Sequence, residues 1–173
     1  TKQDFVHSAE WTMDGLMNGV GVGFSTSWRG EANAPDKSDK ETYVIPDSRE
    51  GWVISLIKLM CAYIDSPRYG KNKFPHFDYS LIRNKGLPIK GFGGLSSGPE
   101  PLMKMHTRIA GYLDAFCAKV LVVPATPKTD WSEATPEQRK PYSHTRLIAG
   151  VFNAIGACVV AGNVRRSPEI CIG

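Results

Sequence analysis

The residues best suited to chemistry are two cations on a glycine-rich stretch. Arg83 and Lys90 flank a Gly86-Leu87-Pro88 bend, and the chain then runs into Gly91, Gly93, Gly94 and Gly98. A guanidinium holds phosphate oxygens bidentately and an ammonium holds them as a point charge. Backbone amides in glycine turns form anion-binding nests. The pair therefore reads either as a phosphate clamp or as two solvated surface charges.

A second candidate is the helix start Pro46-Asp47-Ser48-Arg49-Glu50, where Asp47 or Ser48 can cap and Glu50 sits in the first turn. Its unpaired amides could meet a phosphate, and Asp47 could accept a ribose hydroxyl. The plain alternative is an ordinary N-cap. The third candidate is the loop Gly162-Asn163-Val164-Arg165-Arg166-Ser167, two arginines and a hydroxyl after a small hinge. It reads as a ligand-contacting loop or as surface arginines paired with carboxylates.

Other chemistries find no footing. The chain carries no P-loop, no HExxH, no EF-hand loop, no Ser-His-Asp order and no GxGxxG in a strand-turn-helix setting. His7, His76, His106 and His144 are scattered and read as structural or exposed, so no acid/base pair and no catalytic residue is nominated. Cys61, Cys117, Cys158 and Cys171 form no CxxC pair, which argues against zinc and against a disulfide scaffold. Reduced thiols of this kind suit the cytoplasm.

The elements that must position these residues follow from periodicity. Helices are expected over Asp4 to Asn18, from the Pro46–Glu50 start through Ile64, over Glu100 to Val123, and from Thr145 through Ile155. Gly19-Val20-Gly21-Val22-Gly23-Phe24 reads as a buried strand whose missing side chains admit something close to the backbone. His76 to Tyr79 and Glu169 to Ile172 read as short strands, and Ser25 to Thr42 and Pro124 to Pro141 as polar connections. The alternation is α/β, with few strands for so much helix. With 173 residues, 42% apolar, the chain can build one real core, and no run is long enough to span a bilayer. The net charge of +4 suits an anionic small ligand, and without an aromatic-basic stripe it argues against a nucleic-acid-binding domain. Both ends of the chain look cut.

Several segments taken together resemble the adenosylcobalamin-dependent (class II) ribonucleotide reductases, of the monomeric triphosphate-reducing type. They are Met17 to Phe24, Pro46 to Val53, Phe77 to Ser80 with Ile82-Arg83 and Gly86, Pro88 to Gly94, Ser97 to Leu102, and Ile155 to Ser167. They follow the family's order over nearly the whole chain.

The resemblance implies an α/β fold that is a partial segment of a ten-stranded α/β barrel with a helical effector-binding insertion. Residues 1–24 would be an early barrel helix and strand, 25–76 the insertion that imitates a dimer partner, and 77–173 a barrel segment with the effector-phosphate and specificity loops. Asp47, Ser48, Arg49, Arg83 and Lys90 would bind a regulatory deoxynucleoside triphosphate. Gly162, Asn163, Val164, Arg165, Arg166 and Ser167 would form the loop that carries its signal to the substrate, an allosteric coupling between two sites. Gly19, Gly21 and Gly23 would lie near the substrate. The complete enzyme would use adenosylcobalamin, a nucleoside triphosphate substrate and a thioredoxin-like reductant, with no nucleic-acid or membrane partner. The cofactor would not be held by this segment alone. The radical cysteine is expected downstream, so the segment alone is expected to turn over nothing. Pro168 and Cys171 stand where the family places small residues. A free-standing nucleotide-sensing module and one half of a split reductase are the rival readings.

Overall fold

The computed structural model describes residues 4–89, 94–122, 140–161 and 169–172. Four helices dominate: α1 (Phe5–Met17), α2 (Arg49–Tyr63), α3 (Glu100–Cys117) and α4 (His144–Val160). Among the described residues six short strands are interspersed: β1 (Val22–Ser25), β2 (Lys40–Val44), β3 (Phe74–Asp78), β4 (Leu121–Val122), β5 (Lys140–Pro141) and β6 (Glu169–Ile172). They pair two by two, β1 with β6 and β2 with β3 in parallel, and β4 with β5 antiparallel.

Helices α1, α2 and α4 begin where a polar side chain accepts from an amide left without an intrahelical partner, whereas α3 starts at Pro99-Glu100-Pro101 with no side-chain cap. Asp4 accepts from the amides of Val6 and His7, Ser48 from Gly51 and Ser143 from Arg146. Helix α1 ends as predicted at Asn18, in a Schellman turn: Val20 N–H reaches back to the Gly15 carbonyl at 2.9 Å, and Gly19 takes φ +81°. The expected strand from Gly19 is therefore shortened. Gly19 and Val20 are consumed by the turn, and β1 starts at Val22. It is half-buried rather than buried, Val22 and Phe24 facing in and Gly23 and Ser25 facing out.

Helix α3 ends earlier than its expected limit at Val123. Lys119 adopts φ 50°, Val120 N–H bonds the Ala115 carbonyl at 3.0 Å, and the chain turns into β4. The polar connection expected from Ser25 to Thr42 also differs, because it contains buried Trp28 and leads directly into β2.

The helices surround one core. Helix α1 packs on α2 and α4, α3 lies along α4, and α2 touches α3 and β3. At the β1–β6 side, Phe24 stacks on Phe152 at 4.1 Å between centroids, with Phe5 tilted against both Phe152 and Trp28. At the β2–β3 side the core turns polar around His106. Among the described residues no helix is long and apolar enough to cross a membrane.

Candidate functional site

Parallel pairing of β2 with β3 sets up the site. Tyr43 lies opposite Phe77 and Val44 opposite Asp78, and Ile45 N–H then bonds the Asp78 carbonyl at 2.9 Å. Both strands thus end at the same edge. Beyond β2 the chain enters Pro46, Asp47 and the start of α2. Beyond β3 it enters Tyr79 to Arg83. The carboxyl edge of adjacent parallel strands is where α/β folds place ligands.

There the two chain segments meet through charge. Arg83 Nε donates to Asp47 Oδ2 at 2.6 Å, and Arg83 Nη1 donates to the Pro88 carbonyl at 2.9 Å. The side chains are 29% and 30% exposed, so the pair is held but reachable. An ion pair this accessible contributes on the order of 1 kcal/mol or less. Its use is orientation. Among the described residues, these partners take two of the five N–H donors of the guanidinium.

The helix start is organised around this pair. Ser48, not Asp47, is the cap, its Oγ accepting from Gly51 N–H at 3.0 Å, which leaves Asp47 for Arg83. Gly51 is required: a Cβ there would come within 2.5 Å of the Pro46 carbonyl oxygen. Arg49 points elsewhere, to Asp14 of α1 at 3.2 Å and to its neighbour Glu50 at 2.8 Å. Glu50 in turn is held below the usual carboxylate range by its hydrogen bond from Arg49.

The structure therefore brings Asp47, Ser48 and Arg83 together and places Arg49 on the α1 side. Lys90 and the whole loop Gly162 to Ser167 lie outside the described residues, as does Pro168. Of the three glycines named with β1, Gly23 lines a cleft of about 300 Å³ with Phe5, Trp11, Phe24, Trp28 and Phe152. Gly19 sits in the α1 turn and Gly21 just ahead of the strand.

Two features escaped the sequence reading. One is a cleft of about 330 Å³ between α3 and α4, bordered by Lys85, Ser97, Glu100, Lys104 and Arg108. Glu100 there is paired with Lys104 at 2.6 Å, and its carboxyl is lowered first by that bond and further by Lys85. The other is the largely buried chain Tyr79–His106–Ser55, joining the residue after β3 to α3 and α2. His106 shares a helix face with Leu102, Met105 and Ile109, a spacing that could have marked it as interior.

Two of the thiols are buried and quiet. Burial pushes Cys61 and Cys158 up to about 12, where a thiolate is scarce. Among the described residues no three His, Cys, Asp or Glu side chains converge on a metal-sized point.

The comparisons agree with this architecture. The sequence model for the B12-dependent ribonucleotide reductase insertion domain matches residues 20–113. The chain belongs to the B12-dependent ribonucleotide reductase family. It is 39% identical to an adenosylcobalamin-dependent ribonucleoside-triphosphate reductase of Euglena gracilis, over 99% of this chain and 20% of that protein. It is 34% identical to the reductase of the same name from Lactobacillus acidophilus, over 89% of this chain and 18% of that one. It superimposes with a TM-score of 0.67 and 25% identity on the crystal structure of a B12-dependent (class II) ribonucleotide reductase, covering 99% of this chain and 25% of the other. The chain thus spans about a fifth of the length of the curated relatives it matches.

The relatives' names imply a cobalamin. Clefts of about 300 and 330 Å³ stand at the lower end of what holds a drug-sized ligand, well short of a corrin with its nucleotide tail. Neither cleft fits that group, and no described residue is assigned to it.

Proposed function

We propose that this chain is the part of an adenosylcobalamin-dependent ribonucleoside-triphosphate reductase that binds a regulatory deoxynucleoside triphosphate. The observation that carries the reading is the Asp47–Arg83 pair. Two segments far apart in sequence converge at the carboxyl edge of β2 and β3, beside the amide-rich start of α2. Arg83 has donors left for phosphate oxygens, and Lys90 would add a second charge from the same loop. Asp47 would accept from a ribose hydroxyl, and Ser48 caps the helix start through Gly51 N–H. Arg49 would contribute to the positive field at this helix end while pairing with Asp14.

In this reading Gly162, Asn163, Val164, Arg165, Arg166 and Ser167 form the loop through which the bound nucleotide shifts substrate preference, and Gly19, Gly21 and Gly23 lie toward the substrate. The parallel pair β1–β6 joins opposite ends of the chain and is too small to stand alone. We infer that strands from outside the chain extend it into a ten-stranded barrel, with β1 and β6 in the barrel and the insertion in the stretch between them. The radical cysteine, the cobalamin contacts and the sites for a thioredoxin-like reductant would lie beyond the chain, which alone would reduce no ribonucleotide. The enzyme would work in the cytoplasm.

The test is calorimetric titration of the full-length polypeptide with dATP, dGTP, dCTP and dTTP in turn. Losing a charge-assisted bond of about 1.5–3 kcal/mol, Arg83→Ala should weaken the tightest of the four roughly 10- to 100-fold. Affinity unchanged within twofold would refute the site.

A further inference from the structure

His106 lies in the middle of α3, 4% exposed, among Leu102, Met105 and Ile109. A leucine would fill such a place at less electrostatic cost. Instead the imidazole is bonded at both nitrogens: Nε2 lies 2.9 Å from Ser55 Oγ of α2, and Nδ1 lies 2.8 Å from the Tyr79 hydroxyl just past β3. Phe77 of β3 stacks on the ring at 4.1 Å.

The direction of these bonds follows from counting protons. Ser55 has one hydroxyl hydrogen, which goes to the Trp52 carbonyl at 2.6 Å. Toward His106 the serine can therefore only accept, so Nε2 carries the ring proton. Nδ1 is then the acceptor for the Tyr79 O–H. Burial keeps the ring neutral, with a pKa pushed down to about 3, so this arrangement persists across the ordinary pH range. The result is a one-way chain: Tyr79 O–H to His106, His106 N–H to Ser55, Ser55 O–H to the backbone of α2.

Both ends of that chain are close to the nucleotide site. Tyr79 lies four residues before Arg83, with the Tyr79 carbonyl accepting from Ile82 N–H at 3.0 Å. Trp52 lies five residues after Asp47, its own N–H bonded to the Ser48 carbonyl at 3.2 Å. Apolar packing alone lets a helix slide or rotate against its neighbours at modest cost, whereas a fully satisfied buried network admits one registration.

We propose that His106 is a positioning residue for the nucleotide site, fixing the start of α2 and the Arg83 segment in one relative placement through Ser55 and Tyr79. It touches no nucleotide. It sets the distance between the group that takes the ribose and the group that takes the phosphates. The proposal rests on the reading of Asp47 and Arg83 as nucleotide ligands.

The experiment is a double-mutant cycle in the full-length polypeptide with Tyr79→Phe, Ser55→Ala and both together, each titrated with dATP, dGTP, dCTP and dTTP and melted without nucleotide. His106→Gln, whose amide N–H2 can reach Ser55 in place of Nε2 but which has no acceptor atom at the Nδ1 position facing Tyr79, joins the series. Each single change should weaken the tightest nucleotide roughly three- to tenfold, the size of coupling carried through packed networks. The double variant should lose less than the product of the two, since either break already interrupts the chain. His106→Gln should match Tyr79→Phe. Lowered melting temperatures with affinities within twofold of the parent would overturn the proposal, provided Arg83→Ala still weakens binding. If Arg83→Ala also leaves affinity unchanged, the nucleotide reading falls first and takes this one with it.

Discussion

On the α1–β1–α4 side of the molecule, Phe5, Phe24, Trp28 and Phe152 pack ring against ring, while on the α2–β3–α3 side the equivalent space holds a histidine, a serine and a tyrosine in one hydrogen-bonded line. Both regions are buried and both join two helices to a strand. Aromatic packing supplies most adhesion per residue and tolerates exchange for other apolar groups of similar volume. The polar line supplies little net stability, because each bond replaces one to water, yet it tolerates no misregistration. The polar side is the one whose strands lead on to Asp47 and Arg83. Adhesion is thus concentrated away from the candidate site and orientation beside it.

That division can be broken deliberately. The largest effect is expected at Phe152, which is 1% exposed and contacts Phe5 and Phe24. Phe152→Ala should cost about 3–5 kcal/mol in denaturant unfolding, the usual range for emptying a buried aromatic position. Nucleotide affinity of the folded protein should stay within twofold. A large affinity loss there would show that the aromatic side also orients the site.

A smaller effect separates the two sides by pH. His106 falls from 6.5 in the unfolded chain to about 3 when folded. Above pH 6.5 both states are neutral there, and the folded state suffers no penalty. As pH drops below 6.5 the unfolded chain takes up a proton that the folded one refuses, so stability is lost progressively toward pH 3. The slope is about 1.4 kcal/mol per pH unit at most. Unfolding of the parent minus that of His106→Gln, measured between pH 7 and 5, should show this slope. Parallel curves would mean that the histidine is accessible to protons in the folded state.

Much of the scaffold was legible in the sequence because helices announce themselves by period. Leu102, Met105, Ile109 and Leu113 on α3, and Leu147, Ile148, Val151 and Ile155 on α4, are the buried positions that spacing selects. Strand β2 was not legible: Lys40, Glu41 and Thr42 are exposed and polar, and only pairing with β3 makes them a strand. The end of α3 was missed because Lys119 adopts a left-handed turn with a residue that gives no hint of one. At the site, Asp47 and Arg83 were each picked out for their chemistry, but their contact depends on β2 and β3 running parallel, which no local pattern encodes. Ser55 and Tyr79 carry no signal of their own. Their role exists only once His106 stands between them.

The central claim is that Asp47 and Arg83 face one nucleotide. The most direct measurement is a crystal structure of the full-length polypeptide soaked with the deoxynucleoside triphosphate it binds most tightly. The account predicts phosphate oxygens within hydrogen-bond distance of the Arg83 guanidinium, with the ribose on the Asp47 side. A nucleotide bound elsewhere, with Arg83 still engaged only by Asp47 and the Pro88 carbonyl, would contradict it.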